Sequence, residues 1–306
     1  MSHNLDLKPS FGARSREPGA GVFTFSVLRS SQAALRAFLH SANALIGIGL
    51  LALVVLLALL GPWAAAYDPL RIVAEPLIWP LQSWQHPLGS DGLGRDLLAG
   101  ILHGARLSLC IGLAVAGLSL GFGVALGALA GYAGGWVDAV ICRIIELFQT
   151  IPGFVLLVVL VSVLEPSSLT VIFGLSLISW DMVARLTRAE VRAHKNRDYV
   201  RAAETFGFSH GHILLREILP NIAPSLIVTG SIIVAQAILA ESALSFLGLG
   251  DPNAVSWGSL IGAGREYIRT AWYLCAIPGF FIAISVLALN LLGDALNDHL
   301  NPRIDD

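Results

Sequence analysis

Lysine is nearly absent from this chain: among 306 residues, only Lys8 and Lys195 occur. Neither follows a G-x-x-x-x-G run, so the chain carries no phosphate-cradling P-loop. Three cysteines lack both a disulfide framework and metal-ligand spacing, and we expect them to be small buried hydrophobes. The eight histidines do not cluster, and H-E-x-x-H and G-x-S-x-G are missing. These absences exclude the common ATPase, metallohydrolase and serine-hydrolase sites.

Charge is also scarce, since charged residues make up 13% of the chain and hydrophobic residues 55%. The mean hydropathy of +0.73 lies far above that of soluble domains. Several apolar runs approach the roughly 20 residues that cross hydrocarbon as a helix, and they are continuous rather than alternating, which excludes a β-barrel. We therefore predict an all-α integral membrane protein with six transmembrane helices. The expected spans are 43–63, 106–132, 138–163, 168–188, 223–247 and 271–293.

The distribution of Lys and Arg predicts the orientation. Basic residues are concentrated in the N-terminal tail and in the segment between the fourth and fifth spans, while the other loops carry few. Short loops rich in Lys and Arg remain in the cytoplasm. We expect both termini and the 188–222 loop to be cytoplasmic. The predicted organisation is a tail at 1–42, a first transmembrane helix at 43–66, an external loop at 67–104, a five-helix core at 105–296 and a tail at 297–306.

Glycines recur every four residues in and just after the second predicted span. Residues four apart share a helix face, and glycine there lets another backbone approach closely. Two alternatives stay open for the neighbour: another helix of this chain, or a partner subunit. The expected packing glycines are Gly123, Gly127, Gly131 and Gly135.

Three acidic residues fall at or near membrane depth, where charge is costly and normally faces protein or water. Asp181 precedes Arg185 by four residues, so we expect one helix face to pair them. Glu146 follows Arg143 by three residues in the same way. Glu241 has no local partner, and either an interhelical hydrogen bond or contact with cargo explains it. Glu146 and Glu241 are thus the candidate pathway or interhelical polar groups.

A polar stretch, "YVRAAETFGFSHGHILLREILPN" at 199–221, separates two apolar spans. We predict two short helices here, with Gly207 ending the first, Ser209 capping the second and Pro220 stopping it. Either an amphipathic loop on lipid headgroups or a protein-docking element accounts for the pattern. The first helix would carry an apolar stripe of Tyr199, Ala202, Ala203 and Phe206. The second would carry Leu214, Leu215, Ile218 and Leu219.

This stretch resembles the cytoplasmic signature of ABC importer permeases, E-A-A, three residues, G, then about nine residues and I-x-L-P. Arg201 stands where that signature has glutamate, and Ile218 lies one place beyond the usual isoleucine. The positions that match at the family spacing are Ala202, Ala203, Gly207, Leu219 and Pro220.

Further segments resemble the C-type permease subunit of dipeptide, oligopeptide and nickel importers. "HPLGSDGLGRD" at 86–96, "AESALSFLGLG" at 240–250 and "LNLLGDALNDHLNPR" at 289–303 are such segments. Asp181 departs from that branch, in which an uncharged residue is usual.

The resemblance implies one of two permease subunits, with two ABC ATPase subunits beneath and an external solute-binding protein above. No cofactor would bind this chain, because ATP and Mg²⁺ belong to the ATPase subunits, and no nucleic acid is involved. The docking residues it implies are Arg201, Ala202, Ala203, Gly207, Ile218, Leu219 and Pro220. Cargo stays open among dipeptides, longer peptides, chelated nickel and related solutes. An ion-driven secondary transporter and a purely scaffolding membrane subunit are the alternatives.

Overall fold

The computed structural model describes residues 41–300, with side chains as far as Asp298. What the sequence predicts for residues 1–40 and 301–306, in the two tails, lies outside the described residues. The described part is nearly all helical, with three isolated β-bridges as its only β pairing. In chain order, the helices are α1 Ala42–Ala64, α2 Leu97–Ala133, α3 Gly135–Gln149, α4 Gly153–Val163, α5 Ser168–Lys195, α6 Asp198–Thr205, α7 His210–Phe246, α8 Trp257–Gly264 and α9 Tyr273–Leu300.

Helices α1, α2, α5, α7 and α9 are long and apolar enough to cross a membrane, and the bent pair α3–α4 supplies a sixth span if counted as one. The all-α membrane architecture is therefore confirmed for residues 41–300. Side-chain caps begin four of these helices. Ser41 accepts a hydrogen bond from the Ala44 amide, Asp96 accepts one from the Ala99 amide, Ser167 caps α5 and Ser209 caps α7.

The centre of the bundle is the pair α2–α5, which pack along much of their length. Helix α7 packs against both of them, and α9 packs against α7 and α1. Buried aliphatic residues from α2, α5, α7 and α9 form one continuous core. Trp257 at the start of α8 is fully buried in it, and its indole N–H donates to the Ile101 carbonyl at 3.0 Å. This bond holds the α7–α8 connection against α2.

The third predicted span, 138–163, is broken rather than straight. Helices α3 and α4 meet at a 77° bend across residues 150–152. Pro152 explains the break, because its ring cannot continue a helix and it directs the preceding Ile151 out of the helical region. Non-helical backbone therefore lies between the two halves of this span.

Pro220 does not stop the second helix of the 199–221 stretch, contrary to the sequence prediction. The helix runs through it as α7, from His210 to Phe246. The turn Ile213–Ile218 is a π-helix, in which the Leu219 amide bonds the Leu214 carbonyl five residues back. Proline has no N–H to donate, and it is tolerated at this junction because a wider turn precedes it.

Two other boundaries differ from the sequence prediction. Helix α2 begins at Leu97, inside the segment 67–104 that we expected to be loop, because Asp96 caps it there. Helix α5 continues to Lys195, beyond the predicted end at 188. The polar connection between α5 and α7 is consequently shorter than the predicted 188–222 loop.

Candidate functional site

The stretch 198–212 is a compact corner between α5 and α7. Helix α6 ends in a Schellman-type turn, in which the Phe208 amide bonds the Ala203 carbonyl at 3.2 Å and the Gly207 amide bonds Glu204 at 3.0 Å. Gly207 has a φ of +80°, which L side chains rarely adopt. Ser209 then accepts a hydrogen bond from the His212 amide and begins α7. Gly207 and Ser209 thus occupy the turn and cap positions expected from the sequence.

A small apolar cluster attaches this corner to the bundle. Five of its buried side chains come from α6 and the start of α7, and two come from α2 and α5. The π turn matters here, because its hydrogen bonds join residues five apart, and Ile213 and Ile218, which are five apart, are both buried on the inward face. The cluster consists of Val200, Ala203, Ile213, Ile218 and Ile222 with Ala128 and Val191.

Polar contacts reinforce the attachment. The Tyr132 hydroxyl and His210 Nδ1 are 2.9 Å apart, and His194 Nδ1 lies 2.8 Å from the Tyr199 hydroxyl. Lys195 donates to the Tyr132 carbonyl at 2.6 Å. Burial raises the pKa of Tyr199, with nearby Arg197 opposing the rise, so Tyr199 remains a neutral hydroxyl at physiological pH. The corner is therefore tied to the ends of both α2 and α5.

The residues predicted to dock a partner divide into two groups. Four are exposed: Arg201, Ala202 and Gly207 on the corner, and Pro220 further along α7. Ala203 and Ile218 are buried against the bundle and Leu219 is half-buried, so these three support the corner rather than face outward.

The apolar stripe predicted on α6 is wrong as a single face. Val200 and Ala203 point inward, while Ala202 is exposed and Phe206 is 82% exposed. The second stripe is shifted in the same way, because the π turn places Ile213 inward and leaves Leu215 exposed. The exposed surface of the corner is apolar at Phe206 and at Phe208, which is 47% exposed.

The glycine series lies along the α2–α5 contact. A Cβ at Gly123, Gly127 or Gly131 would collide with α5, and the tightest approach is that of Gly127 to the Ala184 carbonyl oxygen. Such spacing lets the two backbones approach closely. Gly135 is different and is a correction to the prediction. It starts α3 with a φ of +55°, and an added Cβ there would meet no atom within 4 Å.

Two of the acidic groups lie near the broken span. The Arg143–Glu146 pair forms at 2.8 Å, but both side chains are mostly exposed in this chain. Asp181 does not pair with Arg185 as the sequence suggested. It accepts a hydrogen bond from Gln149 Nε2 at 2.7 Å, because the end of α3 lies beside the middle of α5.

Glu241 is buried where α7 meets the segment before α8. Its Oε1 accepts hydrogen bonds from Ser245 at 2.8 Å and from Ser256 at 2.6 Å. Ser256 also caps α8, so the carboxyl group joins α7 to the start of α8. The other oxygen, Oε2, has no hydrogen-bond partner among residues 41–298, and it lies against Gly258. Of the two roles that the sequence allows, this geometry corresponds to an interhelical hydrogen bond.

Sequence reasoning missed three polar ties that fix the two ends of the bundle. His86 Nδ1 and Asp96 Oδ1 are 2.9 Å apart and buried. Both residues lie in the 86–96 segment quoted above, but the sequence did not predict that they pair. At the other end, Arg188 donates two hydrogen bonds to Asp138, joining α3 to α5. Asp138 and Arg188 are 50 residues apart in the sequence, so no local spacing predicts that they pair.

The third missed tie joins the 247–256 connection to α5. Asp251 accepts hydrogen bonds from the Ser168 hydroxyl at 2.7 Å and the Ser168 amide at 2.9 Å. Burial alone would raise the pKa of Asp251, but these hydrogen bonds, with one from the Asn253 amide, outweigh it and lower the pKa. The carboxylate therefore stays ionised at neutral pH and holds this connection in place.

The cysteines were expected to be buried, which is wrong for Cys110. Its side chain is exposed, while Cys142 and Cys275 are half-buried and all three thiols are free.

Comparisons with known proteins give the family. The model of the "binding-protein-dependent transport system inner membrane component" matches residues 123–306, and that of the "N-terminal TM domain of oligopeptide transport permease C" matches residues 31–82. A di/tripeptide transport system permease protein of Pseudomonas aeruginosa is 39% identical, with 88% of this chain and 91% of the relative covered. A dipeptide transport system permease protein of Haemophilus influenzae is 36% identical, with 87% and 92% covered.

A probable D,D-dipeptide transport system permease protein of Escherichia coli is also 36% identical, with 83% of this chain and 85% of the relative covered. Among solved structures, an inward-facing MetNI methionine ABC transporter matches with a TM-score of 0.57 at 17% identity, covering 67% of this chain and 98% of that chain. That likeness supports the fold. The chain therefore belongs to the family of binding-protein-dependent transport system inner membrane components, the permease subunits of bacterial ABC importers, which cross the inner membrane several times.

Proposed function

We propose that this chain forms half of the translocation pathway of an ATP-driven importer for dipeptides and similar short peptides. The observation that carries the proposal is the 36–39% identity to two permeases whose names specify di- or tripeptides, over nearly the whole chain. A second permease subunit would supply the other half. Two ABC ATPase subunits would bind ATP and Mg²⁺, and a periplasmic binding protein would deliver the peptide.

The exposed corner 198–212 is the proposed docking site for an ATPase subunit. Its support is physical: Phe206 is 82% exposed although it lies on a rigid, well-anchored turn. Exposed aromatic side chains are typical of a protein-binding surface. Lipid headgroups are the alternative ligand of this corner, because basic residues adjoin it. Co-purification of the ATPase subunit distinguishes the two.

In this proposal the corner is cytoplasmic and the 65–96 and 247–256 connections are external. The support is the basic segment that leads into the corner, since Arg192 and Lys195 lie at the end of α5 and Arg197 follows them. Closure of the ATPase pair would push on the corner. The ties from Tyr132 and Lys195 would pass that movement to α2 and α5 as a rigid-body shift.

Replacing Ala202 by glutamate tests the docking site. Ala202 is exposed, so the change leaves the fold intact, yet it would place an unpaired charge in the proposed interface. We expect Ala202→Glu to reduce co-purification of the ATPase and ATP-dependent uptake of radiolabelled dialanine by at least about tenfold, the equivalent of roughly 1.4 kcal/mol. The amount of permease in the membrane should not change.

Ala193→Glu is the matched control, because Ala193 is equally exposed on α5 at the same end of the molecule but outside the corner. It should co-purify with ATPase as the unaltered chain does. Normal ATPase binding by Ala202→Glu would refute docking at the corner. Failure of the unaltered importer to take up dialanine would refute peptide import itself.

A further inference from the structure

The broken span creates a polar cavity beside the middle of α5. Residues 150–152 interrupt the helix between α3 and α4, and the cavity beside them has a volume of 320 Å³, the lower end of the range for small-molecule sites. Helix α4 begins in this cavity at Gly153 with no side-chain cap. The lining residues are Phe148, Gln149, Ile151, Pro152, Gly153, Ile178, Asp181 and Arg185.

Charges of both signs face the cavity from α5. Asp181 is the fourteenth of the 28 residues of α5, so it lies about 21 Å from either helix end. Its Oδ2 accepts a hydrogen bond from Gln149, which leaves Oδ1 for another donor. Arg185 lies one turn further along α5 and makes no ion pair or hydrogen bond with any residue from 41 to 298.

Hydrocarbon is an unfavourable neighbour for this cavity. An ionised side chain within the hydrocarbon region is costly, and non-helical backbone there occurs where it contacts protein or lines a water-filled space. Asp181 is half-buried and Arg185 is exposed, so the groups are open on one side. In secondary transporters, broken helices hold charged solutes.

The spacing of the two charges matches a zwitterionic dipeptide. Four residues along a helix rise about 6 Å, which separates Asp181 from Arg185 along α5. The ends of an extended dipeptide are at most about 7 Å apart. The carboxylate would accept hydrogen bonds from the peptide ammonium group, and the guanidinium would bind the peptide carboxylate in a bidentate manner.

We infer that Asp181, Gln149 and Arg185 form a cargo-binding site for the charged ends of a short peptide during its passage. This inference rests on the proposed function and names where within the permease its cargo is held. Gln149 orients the Asp181 carboxylate, while Asp181 and Arg185 contact the cargo.

Asp181→Asn gives the direct test in the complete importer reconstituted in proteoliposomes with its binding protein. The amide still accepts the bond from Gln149 but loses the charge that attracts an ammonium group. We expect the initial rate of radiolabelled dialanine uptake to fall about 10- to 100-fold, while ATP hydrolysis stimulated by the loaded binding protein stays within about twofold. Glu165→Gln, a carboxyl change in the exposed α4–α5 connection outside the cavity, should transport normally.

A second measurement leaves Asp181 intact. In an importer in which Cys110, Cys142 and Cys275 are replaced by serine, Ile151→Cys would place a thiol on the cavity wall. A charged thiol reagent should label it, and dialanine should slow that labelling several-fold. Dialanine should not alter any labelling of Val163→Cys, at the far end of α4.

The outcomes separate the two proposals. If the unaltered importer takes up no dialanine, peptide import is wrong. If it does, yet Asp181→Asn transports at the unaltered rate, or Ile151→Cys is unreactive or unprotected by dialanine, the cargo site is wrong and peptide import stands.

Discussion

Gly127 shows how the absence of one side chain allows the two central helices to pack closely. A Cβ at that position would meet the Ala184 carbonyl oxygen and Thr187 on α5, so the two central helices would have to separate. We expect Gly127→Ala to lower the free energy of unfolding by about 1–3 kcal/mol, the usual cost of overpacking. The measurement is the thermal midpoint of the purified importer, which should fall by several degrees.

Gly121→Ala is the matched control on the same helix, because a Cβ there meets no atom within 4 Å. It should leave the midpoint unchanged or raise it slightly, since alanine favours a helix over glycine by roughly 1 kcal/mol. Equal destabilisation by both variants would show that the close approach of α5 is not what makes Gly127 sensitive to a larger side chain.

At the scale of single residues, the sequence predicted which residues share a helix face but not which residues of other helices they contact. It identified Gly123, Gly127 and Gly131 as one face, because four-residue spacing is a local property of a helix. It paired Asp181 with Arg185, whereas the actual partner, Gln149, lies 32 residues away along the chain. Long-range partners depend on how helices pack, which one sequence without relatives does not reveal.

The corner between α6 and α7 depends on backbone conformation at Gly207. An added Cβ there meets no atom within 4 Å, so the cost of Gly207→Ala arises from its φ of +80° alone, about 1–2 kcal/mol. We expect the Phe208 amide, which bonds Ala203 across this turn, to exchange its hydrogen about 5–30 times faster. Hydrogen-exchange mass spectrometry on the purified importer measures this.

Gly211→Ala is the control, because Gly211 is helical and its surroundings are equally open. It should leave exchange at Phe208 unchanged. If Gly207→Ala also leaves exchange unchanged, the turn is not held by the conformational freedom of glycine.

At the scale of helices, the length of the hydrophobic runs predicted the spans, but the prolines did not predict correctly where helices break or end. Pro152 with Gly153 signals the break in the third span, yet the continuous apolar run concealed it. Pro220 resembles a stop signal, yet α7 passes through it because the π turn before it removes the need for its N–H. The type of the preceding turn is set by packing of Ile213 and Ile218, which local sequence does not specify.

The molecule as a whole is longer than a bilayer is thick. Helices α2 and α7 have 37 residues each, about 55 Å, against a hydrocarbon core of about 30 Å. Hydrogen bonds fix both ends of the bundle: Ser168 donates to Asp251 at one end, and Tyr132 bonds His210 at the other. If these bonds persist during transport, the long helices would move as rigid levers between the two faces. A displacement of the corner would then move the opposite ends of these helices, as coupling to ATP hydrolysis requires.

The orientation of these levers is directly testable with single cysteines. In a chain whose three native cysteines are replaced by serine, Trp84→Cys replaces a fully exposed side chain on the 65–96 connection, and Asn196→Cys replaces an exposed one beside the corner. Because basic segments stay in the cytoplasm, an impermeant thiol reagent should label the first in intact spheroplasts and the second only after permeabilisation. The reverse pattern would place the corner outside the cell, where no ATPase could reach it, and would refute the proposed coupling even if peptide uptake were normal.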